Sequence, residues 1–193
     1  MSVRGAAAQV TRERIIDAAI HAFSERWYDE VTIRGVAADA GVALQTVRNH
    51  FATKEELFLA AIERIGASIE SVRGSVTPGD VDGAISTLVD DYERTGDLNL
   101  RLLAVEPRIK VVRPMMARGR AGHQAWVEHV FADALAGLRG RVRERRTAQL
   151  LAVTDVFTWK LLRRDKGLDR DQTIAAMREL VLALHDKIQG AST

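Results

Sequence analysis

The chain has 193 residues, 47% of them hydrophobic and 28% charged, with no cysteine and a formal net charge of +2. These proportions are ordinary for a globular protein. The lack of cysteine excludes a disulfide framework, a cysteine metal site and a thiol nucleophile. No apolar run approaches the ~18 residues needed to span a bilayer, and the start at Met1-Ser2-Val3-Arg4 has no apolar core of the secretory kind. The expectation is a cytoplasmic protein with no membrane partner. Charge does not by itself point to nucleic acid: the first 54 residues hold seven Arg and Lys against six Asp and Glu, so placement must carry any such argument.

Residues 1–10 show no periodicity and read as a flexible arm. Thr11 can cap a first helix, on which Ile16, Ala19, Ile20 and Phe23 form one stripe. Thr32 can cap a second, whose apolar face is Ile33, Val36, Ala37 and Ala40, and Gly41 ends it. A third runs from about Ala43 to His50. Thr53-Lys54-Glu55-Glu56 has the pattern of a capping box and opens a fourth helix to about residue 73, with Leu57, Ala61, Ile65, Ile69 and Val72 on one side. Pro78-Gly79-Asp80 interrupts. Beyond it the pattern predicts helices near 81–95, 98–105, 112–138, 145–165 and 170–189. The breaks fall at Gly96-Asp97, Glu106-Pro107, Arg139-Gly140-Arg141 and Lys166-Gly167. No strand pattern is present, so the fold class is all-α: a three-helix unit over 11–58 followed by a larger helical bundle over 59–193.

Three short helices with a glycine turn before the third form a helix-turn-helix. Phe23, Val36, Ala37, Val42, Val47 and Phe51 are its expected core. The outer side of the third helix then carries Gln45, Thr46, Arg48 and Asn49, with Leu44 at its leading edge. Arg reads guanine, and Asn or Gln reads adenine, along the major-groove edge. Thr46 suits a phosphate or a thymine methyl. Thr32 and Arg34 on one flank and Lys54 on the other suit phosphate clamping, which fixes register without reading sequence. Trp27 is expected in core or edge packing rather than stacked on DNA.

Residues Thr11 to Phe58 resemble the DNA-binding domain of the tetracycline-repressor (TetR) family. The resemblance is carried by Ala18-Ala19, Phe23, Tyr28-Asp29, Thr32-Ile33, Val36-Ala37 and Ala40-Gly41-Val42. It continues through Thr46-Val47, His50-Phe51 and Lys54-Glu55-Glu56-Leu57. It implies a dimeric, one-component, ligand-responsive transcriptional regulator, most naturally a repressor, on a palindromic double-stranded DNA operator. It also implies a phosphate contact at His50, against which stands a structural histidine beside Phe51. The chain departs from the family at Trp27, where glycine is common, and at Ala43, where a small hydroxyl residue caps the third helix. It departs again at Leu44 and Arg48, so contacts at those two positions do not carry over.

By the same resemblance the last two long helices pair with a second copy. Leu150, Val153, Phe157 and Leu161 form one stripe; Ile174, Met177, Leu180, Val181 and Leu184 form another. Such stripes suit a core or a homodimer seam equally. The polar and aromatic residues set into apolar helical segments are Tyr92, Arg101, His123, Trp126 and Trp159, with Met115 and Met116 as an adaptable wall. They are the candidates for holding a small, largely apolar organic effector with room for one polar or anionic end. Arg101, if buried, needs an anion, either Glu106 or a ligand carboxylate. Catalytic and metal sites are not expected: His123 and His129 lie six apart without the spacing of a helical zinc site. No phosphate loop or nucleophile elbow appears, and no cofactor is implied. The Arg139–Arg146 run reads as a solvated helix junction. The alternatives are an architectural, sequence-tolerant DNA binder without effector, and a helical enzyme or carrier.

Overall fold

The computed structural model describes residues 3–186, and every regular element among them is a helix. In order these are α1 (Val3–Glu25), a 3-10 turn (Tyr28–Glu30), α2 (Ile33–Asp39), α3 (Leu44–His50), α4 (Lys54–Arg73) and α5 (Val81–Val105). Then follow α6 (Val112–Val130), α7 (Ala132–Leu135), α8 (Gly140–Val153), α9 (Val156–Lys160), a π-helical turn (Leu161–Asp165) and α10 (Arg170–Asp186). No helix among the described residues is long and apolar enough to cross a membrane. The chain forms two compact units. One comprises residues up to Ser68 with Arg101–Pro114; the other comprises Ile69–Leu100 with the residues from Met115 onward.

The first unit contains α1 to α3 and most of α4. Ile15, Ile16, Ala19, Phe23, Val36, Val47, Phe58 and Ala61 are buried within it at 2% exposure or less. Phe23, Tyr28 and Phe58 form an aromatic knot, with Phe58 edge-on to both partners at 4.9 and 5.0 Å. Such pairs add about 0.5–1.5 kcal/mol beyond area burial. Helix α1 begins at Val3, eight residues before Thr11, inside the stretch read as an arm. The run Ala6-Ala7-Ala8-Gln9 explains this: alanine and glutamine are strong helix formers, and Thr11 spends its hydroxyl on the Ala7 carbonyl at 3.0 Å rather than capping.

In the second unit α5 runs unbroken through Gly96-Asp97, where the sequence predicted a break. The reason is tertiary. A Cβ at Gly96 would stand 2.4 Å from the Trp159 ring, so the glycine is the notch that admits this indole. Trp159 is fully buried and donates to Glu93 at 3.0 Å. The same carboxylate accepts from Arg163 Nε at 2.8 Å, in the π-helical turn. Ala84, Ile85, Leu88 and Val89 of α5, Phe131, Leu150 of α8, and Met177 and Val181 of α10 complete the interior.

Further boundaries differ from the sequence reading: α8 begins at Gly140 rather than 145, inside a predicted break. Helix α6 stops at Val130, whose carbonyl accepts from the Gly79 amide at 2.9 Å. The predicted 145–165 helix is cut at Thr154-Asp155: Thr154 Oγ1 bonds back to the Leu150 carbonyl at 2.8 Å, and Asp155 caps α9 through the Phe157 amide at 2.8 Å. Such side-chain bonds compete with the helical ladder. The predicted end of α10 at 189 lies outside the described residues.

Candidate nucleic-acid interface and interior polar cluster

The turn between α2 and α3 is built by backbone hydrogen bonds. Gly41 has φ +63°, a left-handed conformation that costs glycine little. Val42 N–H bonds the Ala37 carbonyl and Gly41 N–H the Ala38 carbonyl, both at 3.0 Å, which is the Schellman pattern at a helix end. Arg14 Nη2 takes the Ala40 carbonyl at 2.7 Å. At the other end of α2, Thr32 Oγ1 accepts from the Gly35 amide at 3.0 Å, the predicted cap. Ala43 stands at the N-cap of α3 with no side-chain bond, as its methyl requires.

This frame fixes what α3 presents. Val47 is fully buried, while Gln45, Arg48 and Asn49 are exposed and Leu44, Thr46 and His50 half-buried. Gln45 Nε2 donates to Asn49 Oδ1 at 2.9 Å, holding the two amides side by side on the outer face. The exposed Arg34 lies on α2. The His50 ring sits 6.5 Å from that of Phe51, tilted. Trp27 is 44% exposed, and not in the core.

Lys54 is half-buried, its Nζ 4.3 Å above the Tyr28 ring. Burial lowers its pKa, opposed by Asp29 and Glu55. Tyr28 donates to Glu55 at 3.3 Å, and burial together with that carboxylate pushes its hydroxyl up to about 12. The capping pattern at α4 is realised with a shift: Thr53 Oγ1 accepts from Glu56 N at 3.1 Å, and the Glu56 carboxylate reaches Ala52 N at 2.8 Å.

A second constellation lies inside the second unit. Arg73, in the last turn of α4, donates through Nε to Asp91 at 2.7 Å, and Asp91 also accepts from Arg94 at 2.6 Å. Asp91 is completely buried. Arg73 Nη1 lies 3.2 Å from His123 Nδ1, and His123 Nε2 lies 3.1 Å from Thr154 Oγ1. A guanidinium only donates, so Nδ1 accepts and the ring is the neutral tautomer with its proton on Nε2. Burial, reinforced by Arg73, brings the His123 pKa from 6.5 to about 4. Tyr92 donates to the Thr154 carbonyl at 2.9 Å, and burial pushes its hydroxyl upward. Trp126 Nε1 donates to the Arg73 carbonyl at 3.2 Å, and the guanidinium lies 5.2 Å from the Trp126 ring.

Of the candidate ligand residues, Tyr92, His123 and Trp126 thus converge on Arg73. Met115 and Met116 are buried on α6 at 8% and 7% exposure. Trp159 is packed on Gly96, Tyr92 and Arg164, with its indole N–H already spent on Glu93. Arg101 is half-buried, with Nε and Nη2 both shielded and without a hydrogen-bond partner among the described residues. Arg73, Asp91 and Thr154 escaped the sequence reading. The one local signal was Asp91, an acid beside the apolar stripe of Ile85, Leu88 and Tyr92 with Arg94 three residues on.

In the basic run, Arg139, Arg141 and Arg145 are exposed. Arg143 pairs with Glu128 at 3.6 Å and Arg146 donates to the Leu184 carbonyl. The apolar stripes of the last helices divide: Leu150, Met177 and Val181 are fully buried, whereas Phe157, Leu161 and Leu180 are 57%, 49% and 44% exposed.

Residues 15–61, which span the turn just described, match the family model of bacterial regulatory proteins, tetR family. Over 156 residues, 78% of this chain and 74% of the relative, the sequence is 28% identical to the HTH-type transcriptional repressor KstR of Mycolicibacterium smegmatis. The fold is similar to that of a transcriptional regulator from Rhodococcus sp. Rha1, with TM-score 0.73 at 18% identity over 91% of this chain and 96% of that one. It is also similar to the multidrug binding protein EbrR solved with imidazole, with TM-score 0.59 at 26% identity over 90% and 88%. A helix-turn-helix that matches the tetR family model over residues 15–61, with Gln45, Arg48 and Asn49 exposed on its third helix, thus sits in a chain similar in sequence to a transcriptional repressor and in fold to transcriptional regulators.

Proposed function

We propose that the chain is a ligand-responsive repressor that binds a palindromic operator as a homodimer. The observation that carries the DNA reading is the division of α3, with Val47 fully inside and Gln45, Arg48 and Asn49 outside. In this reading those three residues read base edges, Thr46 adds a phosphate or thymine contact, and Arg34, His50 and Lys54 hold phosphates. Thr32 contributes by capping α2, its hydroxyl already committed to Gly35. The name of the KstR relative supports repression.

Homodimerisation is supported by Phe157, Leu161 and Leu180. These large apolar side chains lie exposed on consecutive C-terminal elements, where a second copy would cover them. Two recognition helices related by a two-fold axis would meet major grooves ~34 Å apart. The effector reading is supported by the cluster of Tyr92, His123 and Trp126 around Arg73, by the methionines of α6, and by the likeness to a multidrug binding protein. An effector need change operator affinity by only about 1–3 kcal/mol to regulate.

The test is mass measurement and gel shift on one preparation. Wild type is expected to be a dimer that shifts a selected palindrome. Phe157→Glu with Leu180→Glu is expected to give a folded monomer that does not, since neither side chain is needed inside the fold. A wild-type monomer that binds the palindrome tightly at micromolar concentration contradicts the dimer reading. Binding without sequence preference, falling steeply with salt, favours an architectural role instead.

A further inference from the structure

Arginines in this chain show how their forks are normally filled. Arg164 holds Asp97 through Nε at 3.3 Å and Nη2 at 3.1 Å. Arg170 holds Asp90 through the same two atoms at 2.7 and 3.0 Å. Nε and Nη2 form the planar edge of the guanidinium that matches the two oxygens of a carboxylate. In Arg101 this whole edge is shielded from water, and among the described residues neither nitrogen has an acceptor. Glu106, the internal acid the sequence offers, accepts from neither.

An arginine does not relieve such a position by losing its proton, as a lysine or histidine can. A buried charge without a counter-charge is costly, and buried polar atoms left unbonded call for an explanation. The helix around Arg101 supplies none. One turn away on α5, Asp97 is already held by Arg164, while Leu98 and Val105, with Leu102 beside Arg101, are buried.

We infer that Arg101 anchors the carboxylate of an amphipathic effector, with the fork edge taking both carboxylate oxygens and an apolar body following the aliphatic side of α5. The inference rests on the reading of the chain as ligand-responsive, and it narrows the effector to organic acids with an apolar part. It separates Arg101 from Arg73, whose Nε is already bonded to Asp91 and which serves the interior cluster.

The experiment uses the full chain without DNA, so that its failure is distinct from a failure of operator binding. Wild type, Arg101→Met and Arg101→Gln are unfolded thermally, alone and with acetate, benzoate, octanoate, decanoate and the neutral 1-decanol. Without ligand, Arg101→Met is expected to unfold at or above the wild-type temperature, because it removes two shielded N–H-bearing nitrogens that have no acceptor. Benzoate or a fatty carboxylate is expected to raise the wild-type midpoint more than 1-decanol does. In both variants the carboxylate is expected to bind about 10- to 100-fold more weakly, the loss of a bidentate charged pair, and its advantage over 1-decanol to vanish. Two results overturn the inference. One is an Arg101→Met protein that unfolds well below wild type, which means an internal acceptor holds the guanidinium. The other is a series in which no carboxylate stabilises wild type more than Arg101→Met, even if a neutral compound later proves to release DNA.

Discussion

Helix α3 and the cluster around Arg73 use the same residue types in opposite ways. On α3 the polar side chains Gln45, Arg48 and Asn49 face outward, and Val47 is the one fully buried residue. Around Arg73 the polar groups are inside, and each is answered: Asp91 by two arginines, His123 by Arg73 and Thr154, Tyr92 by the Thr154 carbonyl. A surface arginine costs little and is available to a partner. An interior one must be paired. The helix-turn-helix therefore keeps its chemistry for DNA, whereas the interior cluster first spends its chemistry on its own stability. A ligand that engages the cluster has to compete with bonds already made.

The contrast predicts that interior substitutions cost folding and α3 substitutions cost only binding. The largest effect is expected at Asp91. Asp91→Ala leaves Arg73 buried without its carboxylate and should destabilise by about 3–5 kcal/mol, read by urea denaturation. A cost below about 1 kcal/mol would mean that the arginine relaxes into solvent, and the cluster would lose its structural role.

Next comes His123. Its folded value, about 4, lies below the ordinary 6.5, so the unfolded chain takes up the proton first. This contribution is complete above pH 6.5 and is lost as the pH falls from 6.5 toward 4, by about 3 kcal/mol in all. His123→Gln should flatten that part of the stability profile. An unchanged slope would assign the acid sensitivity to other groups.

Arg48→Ala should leave the unfolding midpoint where it is, weaken operator binding by about 1–3 kcal/mol and relax one base position. Lys54→Ala mixes the two classes, because the ammonium also rests on Tyr28. A loss of stability in that variant without a change in salt dependence would remove Lys54 from the DNA contacts. The smallest effect is expected at Thr32. Thr32→Ala removes the cap on α2 and should cost about 1 kcal/mol of stability. A larger loss of DNA affinity than of stability would give the hydroxyl a second role.

The first region was legible because its determinants are local. Gly41, Thr32, the Ala43 departure and the inward Val47 act within a few residues of where they stand, and each is realised in the structure. In the second region the determinants lie far apart in sequence. Gly96 stays helical because of Trp159, and Asp91 is buried because Arg73 reaches it. A lone glycine reads locally as a break, and at Asp91 the local hint is confined to its place beside the apolar stripe with Arg94 three residues on. The apolar stripes of the last two helices mixed core and surface for a similar reason. Helical spacing identifies a face but not what covers it, and only the fold separates Leu150 and Met177 from Phe157 and Leu180.

The central claim is that α3 reads DNA sequence as one of a symmetric pair. Selection of bound DNA from a random pool by wild type and Arg48→Ala tests it most directly. The account predicts an enriched inverted repeat from wild type and the same repeat, degenerate at one position in each half, from Arg48→Ala. A pool that enriches no sequence at moderate salt, or a single unrepeated site bound equally by both proteins, would contradict it.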